Sequence, residues 1–452
     1  MQRAYTEVGL VTALFALACY LPAQSATVPE LPLQQHPLII RSISVIDVAS
    51  GEVHTQNVSI DRGRIVDTNG RSGFPSSQGA IEIDGRGKFL IPGLWDAHVH
   101  VAEETGRFLP LYLRFGMTSL IDKGGPLDKL LAIRSAVISG QETGPRLFMA
   151  GQPLDGDPPQ WPSAYPDVPL RVRNGAEARL AVRSNKEAGA NYIKLYGGLG
   201  REAMSAAISE AHQLGLKTTG DLLGWSLAVE VALTLGIDGL EHGIPTAFKT
   251  GAPGSYSWEA EESRVQSLLQ IMNSQHAALT STITHMVPFR GRAEEKATFQ
   301  ALPPQLQKRA REMLTLRNLS TPFVARMRDY WCRSVGRFAQ QGGLVMAGTD
   351  SFWSISYPGD VHEELQQLVA CGLSPLQALQ AVTLNPAQWL ALNDLGTVKI
   401  GNRADLVILQ ANPLVAIENT QRIAGVVLGG RYFDQPALEA LSELASQPLP
   451  KP

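Results

Sequence analysis

Phe89-Leu-Ile-Pro-Gly-Leu-Trp-Asp-Ala-His-Val-His100 is an apolar run that ends in two histidines one residue apart. Side chains on a strand alternate faces, so His98 and His100 point the same way with Val99 opposed, and two imidazoles can grip one cation. A His-x-His pair on a strand also reads as a plain polar patch. Partners downstream decide between the two.

Such partners occur, each at the end of its own short apolar run. Gly189-Ala-Asn-Tyr-Ile-Lys-Leu-Tyr-Gly-Gly198 puts Lys194 inside a strand, Gly236-Ile-Asp-Gly-Leu-Glu-His-Gly243 ends on His242, and Gly342-Gly-Leu-Val-Met-Ala-Gly-Thr-Asp-Ser351 ends on Asp350. Eight candidate strands can be counted, each followed by helical periodicity: Leu90 to His100, Met117 to Lys123, Pro145 to Gly151, Tyr192 to Tyr196, Lys217 to Asp221, Gly239 to His242, Ala278 to His285 and Leu344 to Asp350. Alternation of this kind predicts an α/β fold with a parallel sheet, and eight strands close a (β/α)8 TIM barrel over 90–395. From Leu38 to Leu90, and again in Ala404-Asp-Leu-Val-Ile-Leu409 and Ile423 to Arg431, short β runs alternate with turn signals. They predict a small antiparallel β-sandwich built from both termini, 27–89 with 396–452, into which the barrel is inserted.

Ile91-Pro-Gly-Leu-Trp-Asp-Ala-His-Val-His100, Glu241-His-Gly243, Gly348-Thr-Asp-Ser351 and the closing run from His362-Glu-Glu-Leu to Leu409 together resemble the amidohydrolase superfamily. The likeness covers nearly the whole chain after residue 26 and is greatest to imidazolonepropionase-like and Xaa-Pro dipeptidase-like or carboxypeptidase-like amidases. It implies a metal-dependent hydrolase in which His98, His100 and Asp350 hold a first ion, Lys194 is carboxylated by carbon dioxide to bridge two ions, and His242 serves the second. Zinc is the expected ion, one or two per chain. Where the family pattern has a histidine at the fifth strand, this chain has Asp221. A carboxylate can replace that ligand and shifts the site toward oxygen-preferring ions such as manganese.

Each residue also has a plainer reading. Asp350 reads as a helix N-cap after Gly348-Thr349, His242 as a satisfied core histidine, and Lys194 as a cation paired across the barrel with Asp122 or Asp221. Glu241 is expected to face the barrel–helix interface. Tyr196 and His285 are candidate substrate contacts at strand ends, Lys123 a weaker one, and Asp350 the expected proton acceptor. His212, His276 and His362 read as surface or capping residues. Loops at 151–171 and 287–304, with Trp161 and Tyr165 in the first, are long enough to shape a pocket, and Trp225 and Trp258 read as buried packing.

The chain has 452 residues, 44% hydrophobic and 18% charged, with a formal net charge of −3. No basic footprint suggests nucleic acid or an anionic membrane surface, so the expected partner is a small-molecule substrate. Whether the chain forms a homo-oligomer is open. Residues 1–26 read as a secretory signal: Arg3, an uncharged apolar run from Val8 to Leu21, then Ala23-Gln24-Ser25, with the run short of the roughly 20 residues of a membrane span. Cleavage near Ser25 or Ala26 gives a secreted or periplasmic protein without a transmembrane helix; Cys19, in an imperfect lipoprotein box, offers a lipid anchor as the alternative. Cys332 and Cys371 then remain, expected as free buried thiols. Three functions stay open: an amidase of dipeptides or N-acyl amino acids, a single-metal hydrolase or deaminase of a cyclic amide or amidine, and a binding protein with a degraded centre.

Overall fold

The computed structural model describes residues 27–447 except 33–35, 69–78, 104–107, 161–167, 223–225, 245–247, 250–255, 258–261, 287–296, 352–355, 446 and most of 301–321. The expected signal segment with Cys19, and Trp161, Tyr165, Trp225 and Trp258, therefore lie outside the described residues. Among the described residues, no helix is long and apolar enough to cross a membrane.

Eight parallel strands form the barrel: β1 (Leu94–Val99), β2 (Met117–Asp122), β3 (Arg146–Met149), β4 (Tyr192–Tyr196), β5 (Lys217–Asp221), β6 (Gly239–His242), β7 (Ala278–Ser281) and β8 (Val345–Ala347). Closure comes at two seams. Between β3 and β4 the Asn191 amide donates to Met149 O at 2.8 Å, and between β8 and β1 the Asp350 amide donates to His98 O at 2.8 Å beside a Val99–Ser351 bridge. Trp95, Ala97, Phe148, Tyr192, Ala278 and Met346 fill the lower interior with Trp389, so the barrel is a packed core, open to chemistry only at its upper mouth.

The expected run Leu90 to His100 is two strands. Phe89–Pro92 joins the terminal sheet and Leu94–Val99 the barrel, with Gly93 at the step. A Cβ on Gly93 would fall 2.0 Å from Thr118 Oγ1, so β1 and β2 approach closely only because residue 93 has no side chain.

The terminal sheet has the strand order Arg431–Asp434, Ile423–Leu428, Leu406–Leu409, Phe89–Pro92, Leu38–Ile46, Val53–Asp61, Arg64–Asp67, with Ile81–Asp84 also beside Leu38–Ile46. It is mixed where an antiparallel sheet was expected. Leu38–Ile46 runs parallel to both Ile81–Asp84 and Phe89–Pro92, so neither is its hairpin partner. Bonds from Ala404 N to Gly63 O and from Gly401 N to Ile65 O, both 2.8 Å, fold the sheet onto itself around Leu38, Ile40, Val58, Ile65, Leu406 and Ile408. Arg146 of β3 ties this sheet to the barrel through a buried 2.6 Å ion pair with Asp405.

Two further expectations change. Cys332, on the helix Pro322–Gln340, and Cys371, which follows the helix Val361–Ala370, form a disulfide with Cα atoms 5.0 Å apart. The helices on either side of β8 bring together residues 39 apart in sequence, a contact no local pattern reveals. His362 is buried rather than superficial: its Nε2 donates to Phe115 O and its Nδ1 meets Thr420 Oγ1, both at 3.0 Å. Helix Val361–Ala370 starts on an inward face against the end of the first barrel helix.

Substituting Gly93→Ala is expected to destabilise the protein by about 1–3 kcal/mol through overpacking against Thr118, read as a lower denaturant midpoint. Burial lowers the pKa of His362 to about 4 from 6.5. The unfolded chain takes up that proton as pH drops below about 6.5 while the folded one resists until about 4, so this stability is present above 6.5 and lost on acidification. Between those limits the acid loss in His362→Gln should be smaller than in the wild type by about 3 kcal/mol, measured by denaturant unfolding across pH.

Candidate metal centre at the barrel mouth

Three elements aim His98, His100 and Asp350 at one point. In β1 the register against β2 shifts between Asp96 and Val99, and this bulge turns the strand so that Trp95 and Ala97 face the lower core while His98 and His100 face the mouth. Asp96 stabilises the bend, accepting from the His98 amide at 3.2 Å, the Thr349 amide at 3.0 Å and Thr349 Oγ1 at 2.6 Å. Burial raises the Asp96 pKa to about 7 against these bonds. Asp350 follows β8 with φ of 53°, and His242 ends β6 with φ of 70°. Left-handed backbone at residues other than glycine is strained, and such strain concentrates at functional sites.

His98 Nε2 and His100 Nε2 lie 3.5 and 3.4 Å from Asp350 Oδ1. Ligands held about 2.0–2.1 Å from an ion at tetrahedral angles stand about 3.3–3.4 Å apart, so these separations fit a divalent cation. Among the described residues these three form the group of histidine, cysteine and acidic side chains close enough to hold one. His100 Nδ1 lies 3.1 Å from Gly124 O, where it donates and leaves Nε2 as the ligand. Burial lowers the His98 pKa to about 3 and keeps that imidazole neutral. His100 is also opposed by burial, but Asp350 outweighs this and raises it.

A second cluster adjoins the first, the His98 and His242 ring centroids being 4.6 Å apart. His242 Nε2 lies 3.1 Å from Asp221 Oδ2, and its Nδ1 lies 2.9 Å from Thr282 Oγ1. Burial pushes Asp221 up, yet the neighbouring His242 and Lys194 hold it well below the usual carboxylate range. Trp331, from the helix Pro322–Gln340, stacks on His242 with centroids 6.1 Å apart.

Lys194 is fully buried in β4, its Nζ without a hydrogen-bond partner and 5.3 Å from the Tyr196 ring centroid. Neither expected counter-ion reaches it within hydrogen-bonding distance. Asp122 accepts from the amides of Val101 and Gly124 at 2.7 and 2.9 Å, and Asp221 faces His242. Tyr196 is buried beside it and its pKa is raised well above 10 by burial and nearby carboxylates, so the phenol stays a donor. His285 falls on a 3-10 turn, Ile283–Met286, past the end of β7 instead of on the strand, and its side chain is outside the described residues. Glu364 pins that turn, accepting from Ile283 N, Thr284 N and Thr284 Oγ1 at 3.0, 2.7 and 2.9 Å.

Glu241 corrects the sequence reading. Instead of facing the helices, it lies inside the barrel, Oε2 2.8 Å from His98 Nδ1 and Oε1 2.8 Å from Lys123 Nζ. Alternation counted back from an inward His242 places Glu241 outward, but the left-handed backbone at His242 resets the count and both residues turn in. Burial pushes Glu241 up, while Lys123, Lys194 and His98 outweigh it and hold the carboxyl well below its usual range.

Comparison with known proteins agrees with this geometry. The model of the amidohydrolase family matches residues 89–432. Curated relatives include adenine deaminase 3 of Rhizobium meliloti, 24% identical over 84% of this chain and 56% of its own length, and adenine deaminase 2 of Agrobacterium fabrum, 23% identical over 92% and 61%. The chain thus spans little more than half the length of these relatives. Solved structures of the same fold include a Xaa-Pro dipeptidase with bound methionine (TM-score 0.69, 20% identity, 88% of this chain and 100% of that one). Two others are a putative prolidase from Bifidobacterium longum (0.67, 22%, 92% and 100%) and A. niger ochratoxinase (0.67, 19%, 89% and 96%). A family match over three quarters of the sequence, on a closed barrel whose mouth gathers His98, His100 and Asp350, places the chain in the amidohydrolase family.

Proposed function

We propose that this protein is an exported, metal-dependent amidohydrolase that cleaves the C–N bond of a dipeptide or an N-acyl amino acid. The observation that carries it is the pairing of a ligand trio at ion-binding separations with a buried ammonium, Lys194, that no hydrogen bond satisfies. His98, His100 and Asp350 are the residues that would hold one zinc, and Lys194 as its carbamate, with Asp221 and His242, a second; Asp221 biases that second position toward manganese. When bound, such ions bring the pKa of water to around 7 and polarise the scissile carbonyl.

The side chains then have distinct tasks. Asp350 takes a proton from the attacking water and delivers it to the leaving nitrogen, so that water adds across the C–N bond to give an acid and an amine. Tyr196, kept as a neutral phenol, donates toward the carbonyl oxygen as charge develops there. His285, on the turn after β7, is assigned to substrate contact in this reading. Carboxylation of Lys194 joins Nζ to the carbon of carbon dioxide with loss of two protons from the ammonium, replacing a costly buried cation by an anion that metal can satisfy.

Export rests on the leader-like residues 1–26 and draws support from the Cys332–Cys371 disulfide, a bond typical of oxidising compartments. One observation favours a second reading: Asp221 and His242 already satisfy each other at 3.1 Å, which suits a single-metal hydrolase or deaminase of a cyclic amide or amidine.

Metal-reconstituted protein screened against dipeptides, N-acyl amino acids, lactones and cyclic ureas or amidines should turn over the first two classes with about two ions bound per chain; one ion and activity on cyclic amidines alone would select the second reading. Labelled bicarbonate should give a carbamate carbon resonance that Lys194→Ala removes, together with at least about a 100-fold drop in kcat. An unchanged spectrum and rate in that variant exclude the bridging role.

A further inference from the structure

The reaction leaves unused two of the most deeply buried charges in the molecule. Lys123, at the end of β2, and Glu241, in β6, are fully enclosed and face each other at 2.8 Å inside the barrel. The rings of Tyr192 and Trp389 lie 5.3 and 5.7 Å from the ammonium, and Thr219 Oγ1 donates to Glu241 Oε1 at 2.6 Å. The second carboxylate oxygen is turned away from this pair, and lies 2.8 Å from His98 Nδ1. The far nitrogen of the same ring, Nε2, faces Asp350.

An imidazole binds a metal through the nitrogen that carries no proton, and what its other nitrogen donates to fixes both the tautomer and the ring plane. At His100 that acceptor is a backbone carbonyl, Gly124 O. At His98 no backbone group takes the part; a carboxylate does. A carboxylate is the stronger acceptor, but it can be buried there only with a counter-charge. Lys123 is that counter-charge, supplied from the other side of the barrel interior.

We infer that Glu241 and Lys123 are positioning residues of the metal centre: Glu241 holds His98 with its proton on Nδ1 and Nε2 directed at the ion, and Lys123 fixes Glu241 in that place. The inference rests on reading His98 as a ligand. It assigns a task to Glu241 of the Glu-His-Gly element and distinguishes it from the ligands, since Glu241 meets His98 at Nδ1, the ring nitrogen turned away from Asp350.

Zinc affinity measured by competition with a chromophoric chelator, alongside the thermal midpoint of each metal-free protein, tests it. Glu241→Ala is expected to weaken zinc binding about 10- to 100-fold, and Glu241→Gln by less, because the amide oxygen still accepts from Nδ1. Lys123→Met should weaken it about tenfold, and the Lys123→Met/Glu241→Gln pair by less than the two single losses combined, as expected for groups acting as one unit. Asp405→Asn breaks the buried Arg146 pair away from the mouth, and should lower the midpoint without changing affinity. Wild-type affinity in Glu241→Gln and Lys123→Met, with His98→Ala unable to bind, overturns the positioning role and leaves the ligand assignment standing. Should His98→Ala bind zinc like the wild type, the reading of the site itself fails. If Glu241→Ala does not fold, the Gln and Met variants decide the matter.

Discussion

Charge compensation in a closed, nearly dry barrel governs where the polar side chains of this protein can sit. An unpaired ion in such an interior costs several kcal/mol, more than most single packing contacts contribute. Lys123 is therefore found against Glu241, Asp221 against His242, and Asp350 between the imidazoles of His98 and His100. Asp122 in turn accepts from the backbone amides of Val101 and Gly124. Lys194 stands apart from this pattern: its ammonium is as deeply enclosed as any of these, and among the described residues no carboxylate lies within ion-pair distance of it.

Backbone geometry supplies the convergence that charge alone cannot. A regular strand would send His98 and Ala97 to opposite faces in the phase set by Trp95, and could not turn the adjacent Glu241 and His242 into the barrel together. The bulge in β1 and the left-handed His242 that ends β6 undo that phase at the level where the ligands are needed, and Asp350, also left-handed, follows β8. Each departure has its own restraint. Asp96 binds the β1 and β8 ends together through Thr349, Thr282 meets the His242 ring, and Glu364 gathers the turn after β7. Strain held this way belongs to preorganisation, because the groups are already near ion-binding separations.

This division explains what could be read from the sequence. Barrel strands, the His-x-His pair, Lys194, His242 and Asp350 carry local signals: apolar runs bounded by glycine, with a polar residue at the end. Where a side chain faces is read from ideal alternation, and alternation is broken at the site, so it puts Glu241 on the wrong side of its strand. The Cys332–Cys371 bond and the burial of His362 depend on how the helices around β8 pack, which no window of sequence contains. The mixed terminal sheet escaped notice for a related reason: a crossover and a hairpin look alike when only strand composition is visible.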